Sequence, residues 1–432
     1  MYALINGGLK PSGSVRVSGA KNSATRLLAA ALLSDEEVTL SNFPTRLVDV
    51  VHKVRFCESM GAAIEVDSER ETVRVDASGL SVKNLADADF DVPIRTTYLL
   101  AAAQILRSGE AKVPYPGGCP IGPGDAGSRG YDLHVMVWEA MGCEVIENPD
   151  HLFIRATNGL SGSLIDFPIT TVGGTENSLI CASVAQGQSI INNAYVTPEV
   201  EDLIDLLRGM GAVISVTGSN IVVDGTGGLL SGVHKQVMSD RIEALTWIVY
   251  AAMSGGDLLV QDVPFESMEV PLIHIQQAGI DLFRNSNSVY ITNDCLRTGS
   301  IQPFELACGS HPGVISDMQP FFVMLGLFAA GTSRIFDYRY PERIGFVREL
   351  ARLVEPGSVD AVRGQVTTVG PAGLRPGVAN STDLRGSMAV VLAGLCADGV
   401  TRINNVQMAL RGYNGLDIKL KSLGAEVSFH HD

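Results

Sequence analysis

The 432-residue sequence lacks the usual cysteine devices. It holds seven cysteines, but no two are spaced as CxxC, and no His/Cys cluster has zinc-site spacing. Six of them (Cys57, Cys143, Cys181, Cys295, Cys308 and Cys396) stand in apolar or strand-like contexts and read as small core residues. Positive charge is also scarce: 32 Lys and Arg against 47 Asp and Glu give a net charge of −15. That excludes a general nucleic-acid binder, which needs a basic face. It leaves room for an anionic ligand held by a few arginines in a cleft. No apolar run reaches the roughly 20 residues of a membrane span; one of the longest is "PFFVMLGLFAAG". The start "MYALINGGLKPSG" has neither a basic n-region nor an apolar h-region, so no signal peptide is read and a cytoplasmic location is expected. Walker, GxGxxG and Ser-His-Asp signatures are missing, as are clustered carboxylates for a metal, which excludes nucleotide hydrolysis and hydride transfer by the usual devices.

What the sequence does contain is a repeat. With 46 % hydrophobic and 18 % charged residues the chain is globular and long enough for two or three domains. Six times an apolar, Ala-rich helix ends at a small residue and Gly and passes into an alternating strand, as in "YLLAAAQILRSGEAKVPYPGG", "IVYAAMSGGDLLVQDVP" and "VVLAGLCADGVTRINNVQ". Between these stretches lies an amphipathic helix followed by two strands, as in "MGAVISVTGSNIVVDG". Gly109, Gly187, Gly255, Gly331 and Gly399 fall 78, 68, 76 and 68 residues apart and are expected to cap the buried helices in the left-handed conformation. Each unit reads βαβαββ, and six units make an α/β protein of two three-unit domains around buried helices. The expected domains are 21–238, and 1–20 with 239–432.

The buried helices all begin with polar residues or glycine. Lys21 and Asn22 open the first in "SGAKNSATRLL"; Arg95 precedes the second; Thr171, Val172 and Gly173 precede the third. Asp240 and Arg241, Asp317 and Gln319, and Asp383 and Arg385 stand at the heads of the others. Asp and Thr there are ordinary N-caps. Collectively, two bundles of helix N-termini facing each other would attract anions. With Lys21, Arg95, Arg129, Arg385 and Arg411 added, the implied ligand carries several negative charges and is phosphorylated. The seventh cysteine, Cys119, stands apart on a Gly- and Pro-rich stretch, "PYPGGCPIGPGDAGSRGYDLH", where a loop and not a core is expected.

Taken in order along the whole chain, "SGAKN", "PGGCPIG" with a following "DLH", "DRIE", "DMQ", "TDLR" and "RGY" resemble the UDP-N-acetylglucosamine enolpyruvyl transferases. The resemblance implies an inside-out α/β barrel of two domains, each of three βαβαββ repeats around buried parallel helices, with the active site in the cleft between them. It implies transfer of the enolpyruvyl group of phosphoenolpyruvate to the 3′-hydroxyl of UDP-N-acetylglucosamine with release of phosphate, an early step of peptidoglycan synthesis. No cofactor and no metal are implied, and the partners are small molecules: phosphoenolpyruvate and a UDP-sugar or other uridine nucleotide. By the same resemblance Lys21 and Arg129 bind the phosphate, Arg385 and Arg411 the carboxylate, and Arg95 supports the anionic site. Cys119, on a mobile loop, is the general acid or a covalent nucleophile, and the target of the epoxide fosfomycin. Asp317 is the base on the 3′-hydroxyl, with Asp383 and Asn22 orienting the reacting atoms. Asp132, Leu133, His134, Thr171, Val172 and Gly173 hold the uridine and its diphosphate.

Three features depart from that pattern. The stretch between Gly122 and Asp132 is several residues longer than the family's spacing; Met408 and Leu410 stand where a His-Ile-Asp run is usual; and Thr197 stands where glutamate is common. They favour, as an alternative, a paralogue acting on another nucleotide such as UMP in nucleoside-antibiotic synthesis. A further alternative is a ligand-binding homologue without activity, against which the intact Lys21, Cys119, Asp317, Asp383 and Arg411 weigh.

Overall fold

The computed structural model describes residues 1–81, 94–115, 117 and 130–431. The described chain folds as two compact units, 19–238 in one and 1–18 with 239–431 in the other, each with its own apolar core.

In the unit spanning 19–238, helix α1 (Lys21–Ala31) is followed by the outer α2 (Val48–Ser59), α3 (Ala101–Ser108) by α4 (Asp132–Ala140), and α5 (Val172–Val184) by α6 (Pro198–Gly209). The other unit runs α7 (Arg241–Ser254), α8 (Glu269–Gln277), α9 (Gln319–Leu327), α10 (Gly345–Leu350), α11 (Leu384–Cys396), the single turn α12 (Gln407–Leu410) and α13 (Leu416–Ser422). The all-round apolar helices are enclosed: every residue of α9 is buried, and so are all but the last of α7 and α11. In this unit α9 packs against both α7 and α11. Outer helices bury only a stripe, such as Pro271, Leu272 and Ile275 of α8. No helix of the described residues is long and apolar enough to cross a membrane.

Each repeat has a sheet of its own. In five of the six, the strand after the buried helix pairs in parallel with one neighbour and antiparallel with another. Val38–Ser41, for example, lies between parallel His234–Gln236 and antiparallel Thr72–Asp76. Register follows the two-residue period, with Val38 and Leu40 on the buried face against Val73 and Val75. The described strands of the second sheet, Glu110–Pro114, His151–Arg155 and Glu144–Glu147, are all antiparallel. The chain's first strands finish repeats encoded far away: Ser12–Arg16 joins Asp257–Gln261, and Tyr2–Gly7 sits between Gly399–Asn404 and Glu426–His430.

The glycine caps need correction. Gly109 and Gly255 do close α3 and α7 in the left-handed conformation, at φ 72° and 64°. Gly187, Gly331 and Gly399 also have positive φ, but α5, α9 and α11 end before them, at Ala185, Phe328 and Ala397. There the backbone turn is made at the strand entrance and not at the helix cap.

Candidate active site

In the unit holding 239–431, the starts of α7, α9 and α11 converge. Asp383 caps α11, its Oδ1 accepting from the Arg385 and Gly386 amides at 3.2 and 3.1 Å. Asp240 does the same for α7 through the amides of Ile242 and Glu243. Asp317 stands in the 3-10 turn Ser316–Met318 that leads into α9.

One residue ties this cluster together, and no sequence motif marks it. Arg343, in the turn before α10, is 4 % exposed. Its Nη1 meets Asp317 Oδ1 at 2.5 Å and its Nη2 meets Asp383 Oδ1 at 2.9 Å. Burial opposes its charge, but Asp383 and Asp317 more than offset that, so its proton is held more firmly than in water. Asp317 keeps 28 % of its side chain exposed, which leaves the carboxylate accessible.

Arg385 is almost wholly buried. Its Nη1 donates to the Gly412 carbonyl at 3.0 Å, and its guanidinium lies 5.3 Å from the centre of the Tyr413 ring. Asp240 approaches Nη2 at 3.5 Å and Asp317 approaches Nε at 3.8 Å. The Asp240 carboxylate offsets the cost of burying this guanidinium, which stays charged. Arg411 directly follows α12, with Nη1 3.9 Å from Met408 Sδ.

In the unit spanning 19–238 a second group forms at helix starts. Lys21, the first residue of α1, pairs with Asp49 of α2 at 2.7 Å, and half-buried Asn22 follows it. Arg95 precedes the 3-10 turn Thr96–Leu100; its Nη2 donates to the Gly130 carbonyl at 2.8 Å and its guanidinium lies over the Tyr98 ring at 5.7 Å. Tyr98 stacks on His134 with centroids 3.9 Å apart. Burial, and to a lesser degree the Arg95 charge, push the His134 imidazole down to about 3, so it is neutral at physiological pH.

The two predicted nucleotide segments meet here. Asp132, exposed, Leu133 and His134 form the first turn of α4, while Thr171 caps α5 through the Gly174 amide at 3.2 Å. Val172 packs on the apolar core, and a Cβ at Gly173 would lie 3.2 Å from the His134 ring. Cys119 and Arg129 lie outside the described residues. Reading the sequence missed Arg343, Tyr98 and Asp49; of these only Tyr98, one turn beyond Arg95, carried a positional hint.

The chain matches the model of the family described as EPSP synthase (3-phosphoshikimate 1-carboxyvinyltransferase) over residues 5–420. It is 33 % identical over 431 residues to UDP-N-acetylglucosamine 1-carboxyvinyltransferase 2 of Streptococcus thermophilus, covering 99 % of each chain. The chain belongs to the EPSP synthase family of carboxyvinyltransferases. A second such relative, UDP-N-acetylglucosamine 1-carboxyvinyltransferase of Streptococcus pneumoniae serotype 2, is 33 % identical over 99 % of each chain. Solved structures carry the carboxyvinyltransferase fold. The enolpyruvyl transferase NikO from Streptomyces tendae superposes with a TM-score of 0.85 at 24 % identity, over 99 % of this chain and 98 % of that one. EPSP synthase from Acinetobacter baumannii gives 0.72 at 16 % identity, over 99 % and 100 %. The two-domain α/β fold expected of the family is therefore the fold of this carboxyvinyltransferase.

Proposed function

We propose that the protein transfers the enolpyruvyl group of phosphoenolpyruvate to the 3′-hydroxyl of UDP-N-acetylglucosamine and releases phosphate. The observation that carries the reading is the partly exposed Asp317 carboxylate, joined through one buried guanidinium, Arg343, to Asp383 at the head of α11. Full-length identity to relatives named for this reaction supports it.

The chemistry needs a base on the hydroxyl, a proton donor to carbon, and fixed positive charge for phosphate and carboxylate. Asp317 takes the 3′-hydroxyl proton while the oxygen adds to C2 of phosphoenolpyruvate, and C3 takes a proton from the Cys119 thiol. The resulting tetrahedral adduct loses a proton from C3 as the C2–O bond to phosphate breaks, which restores the double bond. Lys21 and Arg129 receive the departing phosphate, and Arg95 supports the anionic site; Arg385 and Arg411 hold the carboxylate. Asp383 and Asn22 orient the reacting atoms. Asp132, Leu133, His134, Thr171, Val172 and Gly173 bind the uridine diphosphate, where the neutral His134 ring adds no repulsive or attractive charge. The reaction is assigned to the cytoplasm.

A second reading, another uridine nucleotide as acceptor, is favoured by half-buried Met408 and Leu410 on α12, beside Arg411. One screen decides: phosphate release from phosphoenolpyruvate with UDP-N-acetylglucosamine, UMP or other UDP-sugars. Turnover confined to an acceptor other than UDP-N-acetylglucosamine overturns the first reading. Fosfomycin is expected to label Cys119 ahead of the other six cysteines, and more efficiently with the acceptor bound; even labelling of all seven contradicts the acid's assignment.

A further inference from the structure

Lys53 lies in the middle of α2 and is wholly buried. Its Nζ donates to the Thr25 carbonyl at 2.5 Å and to both the carbonyl and the hydroxyl of Thr96 at 3.2 Å. Three acceptors match the three N–H bonds of an ammonium group. Thr25 stands one turn beyond Lys21 on α1, and its hydroxyl donates to the Lys21 carbonyl at 3.2 Å. Thr96 is the residue after Arg95. The same hydroxyl of Thr25 accepts from Arg26 at 3.0 Å, and Arg26 pairs with buried Glu176 of α5 at 2.8 Å. One turn before Lys53, on the same buried face of α2, Asp49 reaches Lys21 itself.

A buried ammonium is a poor way to stabilise a core, since an apolar side chain of similar volume would pack there without a desolvation cost. What it does supply is a fixed link between two backbone segments, each next to a cation of the candidate anion site. We infer that Lys53 is a positioning residue: it ties α1, one turn beyond Lys21, to the turn after Arg95 and so sets where Lys21 and Arg95 meet a phosphate group. The identity of that phosphate as part of phosphoenolpyruvate rests on the proposed function; the tether does not.

Burial draws the Lys53 ammonium down to about 7, with the nearby Cys57 raising it, Arg26 lowering it and Glu176 raising it. The tether is therefore charged below neutrality and increasingly neutral above it, so its effect has its own pH signature.

The probe is inorganic phosphate, titrated calorimetrically into wild type, Lys53→Met and Thr96→Val, with melting curves for each. Lys53→Met removes the charge-assisted bonds that hold both segments, so it is expected to weaken phosphate binding about tenfold or more. Thr96→Val, which removes one acceptor of three, is expected to weaken it about threefold. The ratio of wild-type to Lys53→Met affinity should shrink as pH rises through about 7, a trend that a general loosening of the fold would not produce. A folded Lys53→Met protein with wild-type phosphate affinity overturns the inference, as does a wild type that binds no phosphate. If Lys53→Met does not fold, Thr96→Val decides, and unchanged affinity there overturns it. Phosphoenolpyruvate turnover by wild type is measured alongside. Its absence defeats the enolpyruvyl reading alone, because the phosphate titrations judge Lys53 separately.

Discussion

Gly173 lies against His134 so closely that a Cβ on it would sit 3.2 Å from both Cε1 and Nε2 of the ring. The ring cannot retreat easily, because it is buried and stacked on Tyr98. Alanine in a helix ordinarily gains up to about 1 kcal/mol over glycine, but overpacking a fixed neighbour costs roughly 1–3 kcal/mol. Gly173→Ala is therefore expected to lower stability by about 1 kcal/mol and to raise KM for the nucleotide substrate. Denaturant unfolding and steady-state kinetics check both; a variant more stable than wild type contradicts the contact.

His134 also gives a pH dependence. Its folded pKa is depressed to about 3 from 6.5, so on acidification the unfolded chain takes up this proton first. The stability contributed by the neutral ring is complete above about 6.5 and declines as pH falls toward about 3, with a slope of at most about 1.4 kcal/mol per pH unit. His134→Phe keeps the stack on Tyr98 and removes the titration. The unfolding free energy of wild type should fall relative to that of the variant as pH drops across this window, and parallel curves would refute the assignment.

The Asp317–Arg343–Asp383 cluster separates chemistry from stability. Asp317→Asn removes the proposed base and is expected to cut phosphate release from phosphoenolpyruvate by about 10²–10⁴-fold while the protein still melts cooperatively. Arg343→Met leaves the buried Asp383 without its guanidinium, at a cost of roughly 3–5 kcal/mol, so melting temperature falls along with activity. Equal loss of stability in both variants would go against distinct roles.

Thr197, which stands where glutamate is common in the family, accepts from the Val200 amide at 3.4 Å and caps α6, with Pro198 in the first turn. Replacing it by alanine should cost about 1 kcal/mol and leave the choice of acceptor as it is. A changed acceptor profile with unchanged stability would instead make Thr197 a specificity residue.

The helix starts around the candidate site were legible in the sequence, because Asp240, Asp383 and Thr171 are cap residues directly before apolar helices, a local signal with a local cause. The repeat was legible for the same reason, since burial on every side of α9 or α11 leaves an unbroken apolar stretch. Arg343 could not be read this way. It sits in a turn with no periodicity, and its importance comes from two carboxylates 26 and 40 residues away. Lys53 was hidden in the opposite manner: within "VVHKVRFC" it looks like a surface residue of an amphipathic helix, and only the placement of Thr25 and Thr96 makes it a core group. The misplaced caps at Gly187, Gly331 and Gly399 arose because a helix end and a strand entrance both favour glycine, and sequence spacing does not distinguish them.

The strand Tyr2–Gly7 pairs on both sides with strands that begin at Gly399 and Glu426. At roughly 5–20 residues per second of synthesis, it leaves the ribosome about 20–80 s before either partner exists. It must stay out of wrong pairings for that whole interval, and its sheet closes only after the final strand has been released. The opening residues of this chain are thus among the last to be placed, and until then they present an unpaired strand edge.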